Sequence, residues 1–192
     1  MLDYKSKSIK QTLKNHVVIL SFFIATFWLV EILDFIGNDW LEIYGVRPRE
    51  ISGLYGIIFA PFLHGSFFHL ASNTIPFLIL GWIVLIRGTF KFVTVYIISM
   101  LTSGLGIWFI GNSNSVHIGV SGIIFGFFGY ILFSAWFEKS LKSIIFSIIV
   151  IVLYGGFIIG IIPGNAGVSW EGHLFGFLGG ILSAKLLANY KK

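Results

Sequence analysis

The sequence predicts an all-α membrane protein, a bundle of six transmembrane helices with both termini in the cytoplasm. Three observations carry this. Of 192 residues, 56% are hydrophobic and only 11% charged, less than half of the roughly one quarter usual in a soluble domain. Six apolar runs are each near the ~20 residues that a helix needs to cross a bilayer core. The basic residues also fall in alternate connections. An aromatic content of 18% excludes a disordered chain. Without Cys there is no disulfide framework, thiolate metal site or cysteine nucleophile.

The first run covers about 16–36 and follows Lys5, Lys7, Lys10 and Lys14. It is too long for a removable signal peptide and lacks a small-residue cleavage site. A long segment, Gly37 to Ala60, comes next, mixing Trp40, Tyr44 and Tyr55 with Asp39, Glu42, Arg47, Arg49 and Glu50. That mixture suits the membrane interface. The second run, 62–86, ends at Arg87 and Lys91, and the third is 92–110. Gly111 to His117 joins it to the fourth, 118–137, which Lys139 and Lys142 follow. The fifth, 143–162, and sixth, 169–189, flank Pro163 to Val168, and Lys185, Lys191 and Lys192 close the chain.

Eleven of the thirteen basic residues thus lie on one side, and only Arg47 and Arg49 on the other. The positive-inside rule makes the first side cytoplasmic. The net charge of +5 is then topological, and no nucleic acid is needed to explain it. With no repeat, linker or low-complexity tract, residues 1–192 read as one membrane domain.

Polar side chains inside a span are expensive and mark function by default. Those that stand out are His64, His69, Asn73, Ser121 and His173. His69 and Asn73 are four apart and share a helix face. Ser121 and His173 each fall about one turn into a span that starts outside, some 5–10 Å down at the rise of an α-helix. Groups from three helices therefore share one layer, hydrated from outside. Gly122 and Gly126, then Gly172, Gly176 and Gly180, recur at spacings of four that let helix backbones approach closely. A hydroxyl and an imidazole must come within about 2.6–3.2 Å for base-assisted attack. Facing glycine stripes are a physical route to that distance.

At these residues the chain resembles the rhomboid family of intramembrane serine proteases over nearly its whole length. His64-x4-His69-x3-Asn73, Gly119-x-Ser121-Gly122 and His173-xx-Gly176-xxx-Gly180 occur in the family's order and on its second, fourth and sixth spans. The resemblance implies Ser121 as nucleophile and His173 as general base. It also implies His69, Asn73 and the Ser121 N–H as oxyanion donors, with His64, Gly119, Gly122 and Phe125 lining the site. Gly126, Gly176 and Gly180 would pack helices. No carboxylate is a candidate third member, since Glu171 is two residues from His173 and points away. Two departures stand out. The long outer segment reads Gly45-Val46-Arg47-Pro48-Arg49-Glu50 where many members have Trp-Arg, and Phe125 stands where many have Tyr.

The function expected is an intramembrane serine endopeptidase that cuts single-span membrane proteins near the outer face, with membrane lipids as its other partners. No cofactor or metal is expected, and the sequence leaves oligomeric state open. The alternative is a catalytically silent rhomboid-like binder of membrane helices. The location expected is a bacterial inner membrane, with the site opening to the non-cytoplasmic side. Several residues keep two readings. His64 is a structural hydrogen-bonding group or part of binding. Glu31 and Asp34 are interfacial or paired with the outer arginines, or else a proton path. Gly155, Gly156 and Gly160 are packing or a hinge that lets span five move aside. Pro163-Gly164-Asn165-Ala166-Gly167 is a lid. His16 and His117 read as interfacial.

Overall fold

A computed structural model describes residues 2–164 and 167–190, with side chains from Lys10 onward. Among the described residues seven α-helices follow one another: α1 Leu2–Ile36, α2 Gly56–Phe59, α3 Phe67–Ile86, α4 Thr89–Ile110, α5 Ser121–Glu138, α6 Leu141–Tyr154 and α7 Trp170–Leu187. Short 3-10 helices occupy Trp40–Tyr44, Ser52–Leu54, Ala60–Phe62 and Gly155–Ile161. Among the described residues there is no strand, only an isolated antiparallel bridge between Val46 and His117. Five stretches of the described residues are long and apolar enough to cross a membrane: Lys10–Ile36, Phe67–Ile86, Thr89–Ile110, Ser121–Glu138 and Leu141–Ile161. The sixth apolar run is α7, where Glu171, His173, Lys185 and several glycines dilute the hydropathy.

Helix boundaries follow local chemistry. Ser66 caps α3 by accepting the His69 N–H, Ser140 caps α6 through Ser143, and Ser169 caps α7 through Gly172. Each satisfies an N–H that the first turn leaves without a partner. The Ser66 cap shortens the expected second span, so His64 precedes the helix that carries His69. α1 extends well before the expected start at 16, and Ser121 is the first residue of α5 rather than one turn in. The fifth run changes character at Gly155, where α6 tightens into the seven-residue 3-10 helix.

α5 forms the centre. Ile123, Ile124, Phe127, Phe128, Tyr130 and Ile131 are almost wholly buried. Its most extensive packing is against α7, which also packs on α4. Glycines permit this. A Cβ on Gly176 would collide with the Gly122 carbonyl, and one on Gly180 with the Gly126 carbonyl. Ser103 fills the space beside Gly122 and donates to the Gly172 carbonyl at 2.9 Å. By contrast, the window Leu141–Ile161 is only 11% buried, so α6 is the least embedded long helix. Phe22, Ile36, Phe68, Trp136 and Val152 face outward, an apolar surface suited to lipid.

At the end of the bundle opposite Ser121, Glu138 pairs with Arg87 and with Lys91 at 3.1 Å, and accepts from Ser143 at 2.6 Å. Glu31 and Asp34 differ from expectation. Both are buried, and neither pairs with Arg47 or Arg49. Asp34 instead accepts the Leu41 N–H at 2.7 Å and so anchors the Trp40–Tyr44 3-10 helix. Arg49 spends its guanidinium on the Phe109 and Gly111 carbonyls and the Ser113 hydroxyl, and Arg47 lies 3.8 Å from Glu50.

Candidate active site

Ser121 opens α5, so its backbone N–H belongs to a first helical turn, which has no carbonyl behind it and carries the positive end of the helix dipole. His173 is the fourth residue of α7. The close α5–α7 packing brings His173 Nε2 to 2.9 Å from Ser121 Oγ. His173 Nδ1 lies 3.0 Å from the Gly160 carbonyl oxygen. A carbonyl can only accept, so Nδ1 carries the proton and the Nε2 lone pair accepts the Ser121 hydroxyl. Phe125 lies flat against the imidazole, centroids 4.0 Å apart and planes 11° apart. Phe157 in turn stacks on Phe125 at 5.1 Å.

The pair opens into a cavity of about 740 Å³ whose wall includes His69, Asn73, Pro76, Ser121, Phe125 and His173. That is room for roughly two dozen waters at about 30 Å³ each. Gly119 adopts φ +113°, and a Cβ there would lie 2.9 Å from His69 Cε1. Its N–H donates to the Ala60 carbonyl at 2.8 Å. The glycine thus lets the loop before Ser121 bend against the imidazole of His69. Asn73 Nδ2 donates to the His69 carbonyl at 3.0 Å, which leaves its second N–H. Gly119 and Gly122 border a separate pocket of about 30 Å³ beside Ser121.

His64 does not line the large cavity. It is buried behind His69, ring centroids 5.1 Å apart, and also against Phe27 at 5.9 Å. Neither of its ring nitrogens makes a hydrogen bond of ordinary geometry. Gly155 and Gly156 meet nothing closer than 4.0 Å, so helix packing does not account for them. Gly160 is different, because a Cβ there would lie 2.9 Å from Phe125 Cζ and 3.2 Å from His173 Nδ1. Of the expected lid, Asn165 and Ala166 lie outside the described residues, as do the side chains of Lys5 and Lys7 and all of Lys191 and Lys192. Gly167 and Val168 border the cavity.

Sequence reasoning missed His117. The Gly172 N–H donates to Ser169 Oγ, which lies 2.8 Å from His117 Nδ1. His117 Nε2 lies 2.7 Å from Ser115 Oγ, and that hydroxyl donates to the Asn112 carbonyl. The chain is self-consistent when His117 is neutral with its proton on Nε2. Burial pushes its pKa down, against the opposing pull of Glu171. Its backbone exchanges two hydrogen bonds with Val46, at 2.9 and 3.0 Å. The segment around Val46, the loop before Ser121 and the start of α7 are thereby joined. No motif announces this; the sole sequence hint is Ser169, a helix-capping residue four before His173.

Among the described residues, no group of three or more His, Asp or Glu could hold a metal ion. The model of the rhomboid domain matches residues 52–190, a span that contains Ser121, His173 and all the cavity-lining residues named above. An uncharacterized protein of Mycobacterium tuberculosis is 40% identical over 174 residues, 86% of this chain and 72% of its own length. One of Mycobacterium leprae is 39% identical over 180 residues, 90% of this chain and 71% of its own. A Bacillus subtilis protein named "Putative rhomboid protease YdcA" is 32% identical over 136 residues, 68% of this chain and 65% of its own. With the domain match spanning every helix that carries the motifs, the chain belongs to the rhomboid family.

Proposed function

We propose that the chain is an intramembrane serine endopeptidase in which Ser121 and His173 form a catalytic dyad. Membership of the rhomboid family already points to protease activity on transmembrane substrates within the membrane, by an integral multi-pass protein. The observation that carries the finer reading is the 2.9 Å bond between Ser121 Oγ and His173 Nε2 on the wall of a cavity that polar and apolar side chains line together. Ser121 Oγ attacks the scissile carbonyl while its proton passes to Nε2. The tetrahedral oxyanion forms beside the Ser121 N–H, His69 and Asn73, and removing one such donor typically costs about 10²–10³ in rate. Collapse breaks the C–N bond and returns the proton to the leaving amine. A cavity water then hydrolyses the acyl-enzyme by the same proton route.

The topology proposed to support this chemistry has α1, α3, α4, α5, α6 and α7 all crossing the bilayer, as one domain over residues 1–192. The lysine-rich connections then face the cytoplasm, and the cavity opens on the other side of a bacterial inner membrane. A single-span substrate must unwind locally to present its bond there. Helix-weakening residues near the outer end of its span favour cleavage.

The test is cleavage in proteoliposomes of a single-span protein with Gly and Ala at the outer end of its span, with the product masses read out. Cleavage by wild type and none by Ser121→Ala supports the reading. Capture of the intact substrate without cleavage contradicts it and favours a helix binder. Single cysteines introduced at Ser52, Asn114 and Ser140 into this Cys-free chain test orientation, the first two labelling from outside and the third from the cytoplasm.

A further inference from the structure

We infer that the Gly160 main-chain carbonyl positions His173, acting as the orienting acceptor that a carboxylate supplies in three-membered serine protease sites. This rests on the dyad reading above. A base in such a site must keep its proton on the distal nitrogen, so that the other lone pair faces the hydroxyl, and a third group commonly fixes that tautomer. Here the sequence holds no carboxylate for the task. The 3.0 Å contact from His173 Nδ1 to the Gly160 oxygen supplies one acceptor in the required direction.

Local sequence prepares this carbonyl. In a 3-10 helix the carbonyl of residue i accepts from the N–H of i+3, and the partner of Gly160 is Pro163, which has no N–H. Its neighbour Ile159 is satisfied normally, by the Ile162 N–H at 3.1 Å. Pro163 therefore leaves one acceptor free at the end of the Gly155–Ile161 helix, and His173 takes it. Glycine at 160 is explained by the same contact. A Cβ there would stand 3.2 Å from Nδ1 and 2.9 Å from Phe125 Cζ, so a side chain would displace the ring from both its acceptor and its stacking partner. The imidazole is thus held on its Nδ1 side by Gly160, on one face by Phe125 and on its Nε2 side by Ser121.

The placement has a consequence for control of the site. The acceptor belongs to the continuation of α6, the least embedded of the five long apolar stretches. Any outward displacement of that end withdraws the acceptor, releases the second tautomer of His173 and lowers the rate until the contact is restored. Alignment of the base is therefore linked to the seating of α6.

The test replaces the Ile161 amide by an ester, by incorporating the α-hydroxy analogue of isoleucine at 161. This weakens the Gly160 carbonyl as an acceptor and adds no bulk. The same exchange at Ile159 is the control, because it weakens the Ile158 carbonyl, which belongs to the same 3-10 helix, whereas His173 meets that of Gly160. The readouts are the rate of labelling by a fluorophosphonate, the kcat and KM for a single-span substrate, and the nitrogen NMR signature of the His173 tautomer in the folded protein. Loss of one hydrogen bond of this kind corresponds to about three- to tenfold in rate. The expected result is that drop in labelling and in kcat at 161, with KM unchanged, a mixed tautomer and a near-wild-type control. Gly160→Ala slows labelling further. Wild-type labelling and a single tautomer in the folded 161 ester would overturn the positioning role and leave the dyad standing. Absence of labelling in wild type itself would overturn the dyad, and the positioning role with it.

Discussion

Gly119→Ala separates the geometric account from a generic one. At φ +113° an alanine is strained wherever it sits, at about 1–3 kcal/mol. The loop cannot relax freely, because the Gly119 N–H is held by the Ala60 carbonyl at 2.8 Å. The new Cβ would lie 2.9 Å from His69 Cε1. Restoring ordinary contact requires about 0.5 Å of movement, divided between His69 and a segment two residues from Ser121. A 1 Å misplacement of reacting groups costs about 10²-fold, so half of that corresponds to roughly tenfold. The expected result is slower fluorophosphonate labelling by about that factor, with a lower unfolding temperature in detergent. Gly156→Ala, where nothing lies within 4 Å, is the control and should leave both near wild type. Wild-type labelling and an unchanged unfolding temperature in Gly119→Ala would refute the strain and the contact with His69 together.

Other substitutions probe distinct links. Phe125→Leu removes the flat face against His173 while nearly conserving volume, so labelling should slow about tenfold while stability falls by less than about 1.5 kcal/mol; calorimetry and labelling of one preparation separate the two. Glu138→Gln leaves Arg87 and Lys91 without their shared carboxylate, in a site where the three side chains are 9–14% exposed. A loss of about 3 kcal/mol is expected from breaking a buried pair. Labelling per folded molecule should not change, because Ser121 is about 26 Å away along α5. His117 binds its proton more weakly folded than unfolded. Below about pH 6.5 the unfolded chain gains a proton that the folded one resists, so stability falls as pH drops towards the lowered folded value. Unfolding temperature against pH should show a shallower acid slope in His117→Asn, and an unchanged slope would remove His117 from that role.

The sequence carried the architecture where composition governs it. Five long apolar helices and their turns follow from hydropathy, basic connections and serine caps, all local signals. α7 was legible as an apolar run, yet its packing depends on glycines facing glycines across 50 residues, which spacing suggested and geometry made specific. Ser121 and His173 stood out because polar groups are rare in such helices. His64 misled, because the helix begins at the Ser66 cap rather than at the first apolar residue, and that turns the side chain behind His69. Of the readings open for Glu31 and Asp34, pairing with Arg47 and Arg49 fails, because Asp34 binds a backbone N–H, Arg49 binds carbonyls and Arg47 lies beside Glu50. His117 and Gly160 were not legible. One acts through a hydrogen-bond chain between two loops, and the other through a carbonyl freed by a proline three residues on.

The most direct test of the central claim is intact-mass analysis of the detergent-solubilised protein after reaction with a fluorophosphonate, with the adduct mapped by fragmentation. The account predicts one adduct per chain, on Ser121, absent from Ser121→Ala and from His173→Ala while both variants stay folded. An adduct on another serine, or undiminished labelling in His173→Ala, would contradict it.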